Sequence, residues 1–118
     1  MSQQNGYIAE QHARDYLIKN GLRLITSNYR CRWGEIDLIM NDGKTLVFVE
    51  VRARVSAQYG GAVGSITLQK QKKIVKTATH YMMVKKLYNS CSGRFDVVSI
   101  QGLSAEIEWI KNAFGVDY

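Results

Sequence analysis

No run of apolar residues in this chain approaches the roughly eighteen that a membrane-spanning helix requires. The opening residues Met1-Ser2-Gln3-Gln4-Asn5 also lack the basic-then-apolar pattern of a signal peptide, so a soluble, cytoplasmic chain is expected, with no membrane partner. Cysteine is nearly absent. Cys31 and Cys91 have no close Cys or His neighbour of the kind a zinc site needs, and two are too few for a disulfide scaffold, which leaves reduced, partly buried thiols. His12 and His80 have no ligand spacing either and read as surface or packing residues. Acids are scarce in one place above all: residues 66–88 carry Lys70, Lys72, Lys73, Lys76, Lys85 and Lys86 and not one Asp or Glu. The whole 118-residue chain has a formal charge of +6, and this segment accounts for it. A positive field confined to one segment favours a phosphate-rich partner.

Size and apolar content fit one domain over residues 1–118. From Tyr7 to Lys19, Ala9, Ala13, Tyr16 and Leu17 recur at helical spacing, and Gly21 supplies a stop. Leu22 to Tyr29, Glu35 to Met40 and Thr45 to Arg52 are strand-like. The last two are joined by Asn41-Asp42-Gly43-Lys44, in which Asp-Gly is a hairpin signal. A second helix is expected from Thr67 to Leu87, with Leu68, Ile74, Val75, Ala78, Tyr81 and Met82 as its apolar stripe. Two final strands follow, Arg94 to Gln101 and Ala105 to Lys111, with a turn at Gly102. The order α-β-β-β-α-β-β predicts an α+β sandwich, a central mixed sheet flanked by helices. Residues 56–65, with Gly60, Gly61 and Gly64, read as an irregular loop that resembles no phosphate-cradling motif.

Leu46-Val47-Phe48-Val49-Glu50-Val51 is apolar on both pleat faces, as a covered central strand should be, and Glu50 breaks it. A carboxylate there costs several kcal/mol unless it is paired, protonated or bound to a cation, in order-of-magnitude terms. If Asp42 and Gly43 form the hairpin loop, Asn41 opposes Lys44, Glu35 opposes Glu50, and Asp37 lies diagonally from Glu50, about 7–8 Å away. Glu35, Asp37, Glu50 and Arg52 then share one face. Two carboxylates suit Mg²⁺ or Mn²⁺, whose remaining positions water and substrate phosphate would fill. Glu10, about 60° round the first helix from Ala13, reaches toward the sheet edge. The alternative is structural: Asp37 and Glu50 paired with Arg52, Arg54 or a helix lysine, Glu10 solvated, and Glu35 turned to a basic partner.

The runs Trp33-Gly34-Glu35-Ile36-Asp37-Leu38-Ile39, Val47-Phe48-Val49-Glu50-Val51-Arg52 and Arg94-Phe95-Asp96-Val97-Val98 resemble the YraN family of largely uncharacterised bacterial proteins. The likeness extends from Glu10-x-x-Ala13-x-x-Tyr16-Leu17 to Asn112-Ala113-Phe114. That family is similar to archaeal Holliday junction resolvases and belongs to the restriction-endonuclease-like superfamily. The resemblance implies a restriction-endonuclease-like core, with Asp37 as the first acid, Glu50 as the glutamate of Glu-x-Lys, Arg52 where the lysine stands, and Glu10 as the helix glutamate. Arg52 is a departure. Arginine cannot act as a base, its pKa lying above about 12, but it can hold a phosphate.

The expected site is therefore Glu10, Asp37, Glu50 and Arg52 for catalysis, with Asp37 and Glu50 holding Mg²⁺ or Mn²⁺. Arg52, Arg54, Lys70, Lys72, Lys73 and Lys76 would grip nucleic acid, DNA above all. Lys70 and Lys73, and Lys72 and Lys76, form rows on one helix, though a solvated face is the plainer reading of such rows. Tyr59 in the glycine-rich loop could add base stacking. Three functions are weighed: a metal-dependent endonuclease acting on structured or branched DNA, a non-catalytic nucleic-acid-binding module, and a protein-interaction adaptor. Resolvase-like relatives act as dimers, which makes a homodimer an expected assembly. Trp33, Trp109 and Met82-Met83 read as core or interface residues, and Arg94 with Asp96 as a local ion pair.

Overall fold

The computed structural model describes residues 3–54, 66–87, 90–101 and 106–115. The loop 56–65 with Tyr59, the turn at Gly102 and the Arg54 side chain lie outside the described residues. The elements are α1 (Gln3–Lys19), β1 (Arg23–Cys31), β2 (Gly34–Asp42), β3 (Thr45–Arg54), α2 (Leu68–Val84), β4 (Ser92–Gln101) and β5 (Glu106–Phe114). The five strands form one sheet in the order β1-β2-β3-β4-β5. Every neighbouring pair is antiparallel except β3 and β4, which run parallel. Parallel neighbours need a long crossover, and α2 lies within it.

Helix α1 stops where the sequence places its stop. Gly21 takes φ +99°, and the N–H groups of Gly21 and Leu22 donate to the carbonyls of Ile18 and Leu17. This double closure satisfies orphan carbonyls and folds Leu22 back over Leu17, both buried. Ala9, Ala13 and Leu17, four residues apart, pack on Leu38, Met40, Val47, Val49, Val98 and Ile100. On the other sheet face, Ile74, Ala78 and Tyr81 of α2 pack on Ile39, Leu46, Phe48 and Val97. Alternation along β3 thus sends Val47 and Val49 to α1, and Leu46 and Phe48 to α2.

The expected stripe of α2 needs one correction. Leu68 is 62% exposed, because it stands about 120° round the helix from Ile74. Thr77 takes a buried place instead, made tolerable by its Oγ1 donating to the Lys73 carbonyl.

The hairpin is also shifted from the expected register. Asp42 pairs with Thr45 and Ile39 with Phe48, so the two-residue loop is Gly43-Lys44 rather than Asp42-Gly43. Gly43 has φ +65° while Lys44 is absent from the positive-φ residues, the pattern of a hairpin turn with glycine first. The shift is by two residues in pairing count, so the faces survive it. Glu50 stays on the α2 side, and Asp37 moves from a diagonal place to one alongside Glu50.

Candidate functional site

The β2–β3 pairing runs from Asp42–Thr45 to Leu38–Val49 and stops there. At the next position Asp37 Oδ2 accepts a hydrogen bond of 2.8 Å from the Val51 backbone N–H, a carboxylate taking the place of a strand carbonyl. Ile36 joins the α2 cluster, whereas Leu38 and Met40, at the same parity, join the α1 cluster. Side-chain alternation is therefore interrupted at Asp37. The irregularity continues into β1. Between the pairs Ser27–Leu38 and Tyr29–Ile36, Asn28 stands across from Asp37 with φ +54°, a left-handed conformation that asparagine tolerates better than most residues.

This break brings four elements together. Asp37 of β2 stands beside Glu50 of β3, close enough for the two carboxyl groups to share a proton. Lys70 Nζ of α2 lies 2.7 Å from Glu50 Oε2, and Arg52 Nη1 lies 3.9 Å from the same oxygen. Glu10 of α1 lies near Asn28 and close enough to feel the charge of Glu35 and Glu50. Glu35 itself turns outward to Arg30, 2.8 Å away, the basic partner expected for it.

Glu50 is only 5% exposed, so its pairing decides what this strand costs. Lys70 reaches it because Thr67 caps α2: its Oγ1 accepts from the Lys70 N–H and fixes the first turn beside the end of β3. A lysine in the first helical turn is disfavoured by the helix dipole, and the Glu50 carboxylate offsets that. Sequence reading offered Lys70 as a phosphate contact. A helix lysine paired with the acids is the structural alternative, and the Lys70–Glu50 pair is of that kind.

Burial, and then the charge of Glu50, push the Asp37 carboxyl up to about 8. The pair therefore holds a proton to higher pH than an ordinary carboxyl does. Burial also raises Glu10 above the ordinary carboxylate range, with the charges of Glu35 and Glu50 adding to the effect and the Asn28 side chain opposing it.

The donor set suits a hard divalent cation: two adjacent carboxyl groups, one with its pKa raised by burial and then by the charge of the other. Among the described residues no three His, Cys, Asp or Glu side chains are arranged to hold a metal ion. Asp37 and Glu50 would thus be the protein's share, with water and phosphate completing the shell. A shallow cavity of about 280 Å³, lined by Gly34, Glu35, Lys70, Lys73 and their neighbours, opens beside Lys70.

The remaining basic residues divide by position. Lys72, Lys73 and Lys76 are exposed along α2, and Lys76 Nζ lies over the Trp33 ring. Of the core and interface places expected for Trp33, the core is excluded, since the ring is 40% exposed. His80 packs as expected, its Nδ1 2.8 Å from the Tyr29 hydroxyl, and His12 is exposed. Asp96 does more than form a local pair with Arg94. It is fully buried and also accepts from Trp109 Nε1 and the Asn112 N–H. No described helix is long and apolar enough to cross a membrane.

Residues 9–100 match the model of the uncharacterised protein family UPF0102. The chain is 52% identical over 114 residues to a UPF0102 protein of Legionella pneumophila, covering 97% of each. It is 51% identical to one from Nitrosospira multiformis, covering 96% of this chain and 94% of that protein. A UPF0102 protein of Pseudomonas putida is 46% identical over 92% of this chain and 91% of its own. With a family match spanning most of its length and relatives of this similarity, the chain belongs to the uncharacterised protein family UPF0102, the YraN family that its acidic motifs resemble.

Proposed function

We propose that this protein is a nucleic-acid-binding, divalent-metal-dependent nuclease acting on structured or branched DNA. One observation carries the reading: buried Glu50 and half-buried Asp37 stand side by side, and Glu50 pairs with Lys70 in the first turn of α2, a lysine that also lines an open cavity. A structural ion pair needs one acid and one base. Here a second acid, Asp37, stands beside Glu50 although burial and the neighbouring charge raise its pKa, a cost that a bound cation would relieve.

In this reading Asp37 and Glu50 hold Mg²⁺ or Mn²⁺, which when bound supplies Lewis acidity and lowers the pKa of bound water. Lys70 supplies the ammonium that Arg52 cannot replace chemically, entering from α2 instead of from the strand position. Its charge, already placed at Glu50, neutralises charge developing on the phosphate. Arg52 serves as a phosphate contact, suited by its fork of donors. Glu10, near Asn28, steadies the surrounding charge from the α1 side and orients water. Lys72, Lys73 and Lys76 extend the positive surface along α2 for the DNA backbone, with binding that weakens as salt rises.

The test is cleavage of a labelled four-way or flapped DNA by purified protein with Mg²⁺ or Mn²⁺. Asp37→Ala and Glu50→Ala are expected to lower the rate by about 10³-fold or more, and Lys70→Met by about 10²-fold while DNA binding persists. Wild-type rates in both acid variants would refute the reading. Salt-sensitive binding without cleavage under either metal would leave the non-catalytic binding module as the function.

A further inference from the structure

Trp33 sits in the tight connection between β1 and β2, where Cys31 pairs with Gly34. Its backbone N–H donates to Cys31 Sγ at 3.4 Å, which helps to set the turn. Gly34, at φ +150°, lets that turn press on α2: a β-carbon there would meet Thr77 Oγ1 at 3.3 Å and Lys73 Cβ at 3.8 Å. The indole is thus held beside the middle of α2 and yet remains 40% exposed.

Two cations lie over it. The Arg32 guanidinium carbon is 4.5 Å from a Trp33 ring centroid and Lys76 Nζ is 5.2 Å away. An exposed tryptophan set among cations combines an aromatic face with phosphate-binding charge. Single-strand binders use the same combination, stacking bases on the ring while the cations track the backbone. The patch is also continuous with the acidic site. Gly34, next to Trp33, lines the cavity together with Lys73 and Lys70, and Lys70 pairs with Glu50.

We propose that Trp33 is a stacking platform for an unpaired nucleobase, with Arg32, Lys73 and Lys76 taking the flanking phosphates. The substrate of the neighbouring site is then DNA with an unpaired segment beside a duplex, rather than uninterrupted duplex. This rests on the nucleic-acid reading above and narrows it. A fully paired helix keeps its base faces stacked and offers the indole nothing but sugar and phosphate. A nucleotide from an unpaired segment can lay its base on the ring in place of one of the two cations, which turns to the flanking phosphate, while its strand continues past Lys73 toward Lys70.

The experiment measures fluorescence anisotropy with a labelled single strand and a duplex of equal length, at one fixed salt concentration. Wild type, Trp33→Ala, Trp33→Phe and Lys73→Glu are compared, each checked for folding by circular dichroism. Trp33→Ala is expected to weaken single-strand binding about tenfold and duplex binding less than twofold. Trp33→Phe should retain most of the affinity, and Lys73→Glu should weaken both ligands. If Trp33→Ala leaves single-strand binding unchanged, or weakens both ligands equally, the platform is overturned and nucleic-acid binding stands. If the wild type binds neither ligand at low salt, both fail together.

Discussion

At pH 8.5, with metal chelated, Asp37→Asn is expected to unfold at a higher temperature than the wild type, although it should neither bind metal nor cleave DNA. The reason lies in the proton. Asp37 has an ordinary carboxyl pKa of 3.8 when unfolded and is raised to about 8 in the fold, first by burial and then by Glu50. The folded state therefore binds the proton more tightly than the unfolded state. The stability this contributes is full below about pH 4 and is lost progressively as pH rises through about 8. Asparagine carries the neutral form permanently: its carbonyl can still accept the Val51 N–H, and its amide can donate to Glu50 in place of the acid proton. The expected gain at pH 8.5 is about 1–3 kcal/mol, or several degrees in melting temperature for a domain of this size. At pH 4–5 the two proteins should melt together. Melting curves at the two pH values check this, and a difference that does not change with pH would contradict it.

Asp96→Ala is expected to be the most destabilising single change outside the site, at about 3–5 kcal/mol. Asp96 is fully buried, and Arg94 donates to it through Nε at 3.0 Å and Nη2 at 3.1 Å. Trp109 Nε1 and the Asn112 N–H each donate at 2.9 Å. Arg94 continues through Nη1 to Asp42 Oδ2, so one carboxylate ties β4 to β5 and, through Arg94, to the end of β2. The β4–β5 register shifts between Phe95 and Val97, and Asn112 there adopts φ +52°. Asp96 reaches into that irregularity and satisfies an N–H that the ladder cannot. Removing it leaves an indole N–H and a backbone N–H without their acceptor and the Arg94 guanidinium with Asp42 alone. Urea unfolding measures the loss. Asp96→Asn, which keeps acceptor capacity, should cost less, and a loss below about 1 kcal/mol for the alanine variant would show that these bonds carry little.

The helices and strands were legible because their signals are local. Four-residue spacing from Ala9 to Leu17 and the glycine at 21 define α1, and the apolar run around Val49 defines a strand covered on both faces. The hairpin register was misread because Asp-Gly and Gly-Lys are both acceptable two-residue turns. Only the assembled sheet selects between them. Pairing across strands could still be anticipated for Asp37 and Glu50, because a shift of two preserves the face on which each residue lies.

What lay beyond the sequence was tertiary. The break in alternation at Asp37 depends on Asn28 of a different strand, and nothing in the local pattern of either residue announces it. Lys70 reads as one lysine among six until the Thr67 cap and the end of β3 bring it within 2.7 Å of Glu50. Trp33 reads from sequence as core or interface, and only the tight β1–β2 turn, which holds it partly outside, selects between them.

The central claim is that Asp37 and Glu50 form a divalent-cation site. Calorimetric titration of the purified protein with Mn²⁺ at pH 7, in two buffers of different ionisation enthalpy, tests it most directly. Saturable binding is expected with release of about one proton, the one the pair holds. Both the binding and the proton release should vanish in Glu50→Ala. Binding that survives unchanged in Glu50→Ala, or no saturable binding in the wild type, would contradict the claim.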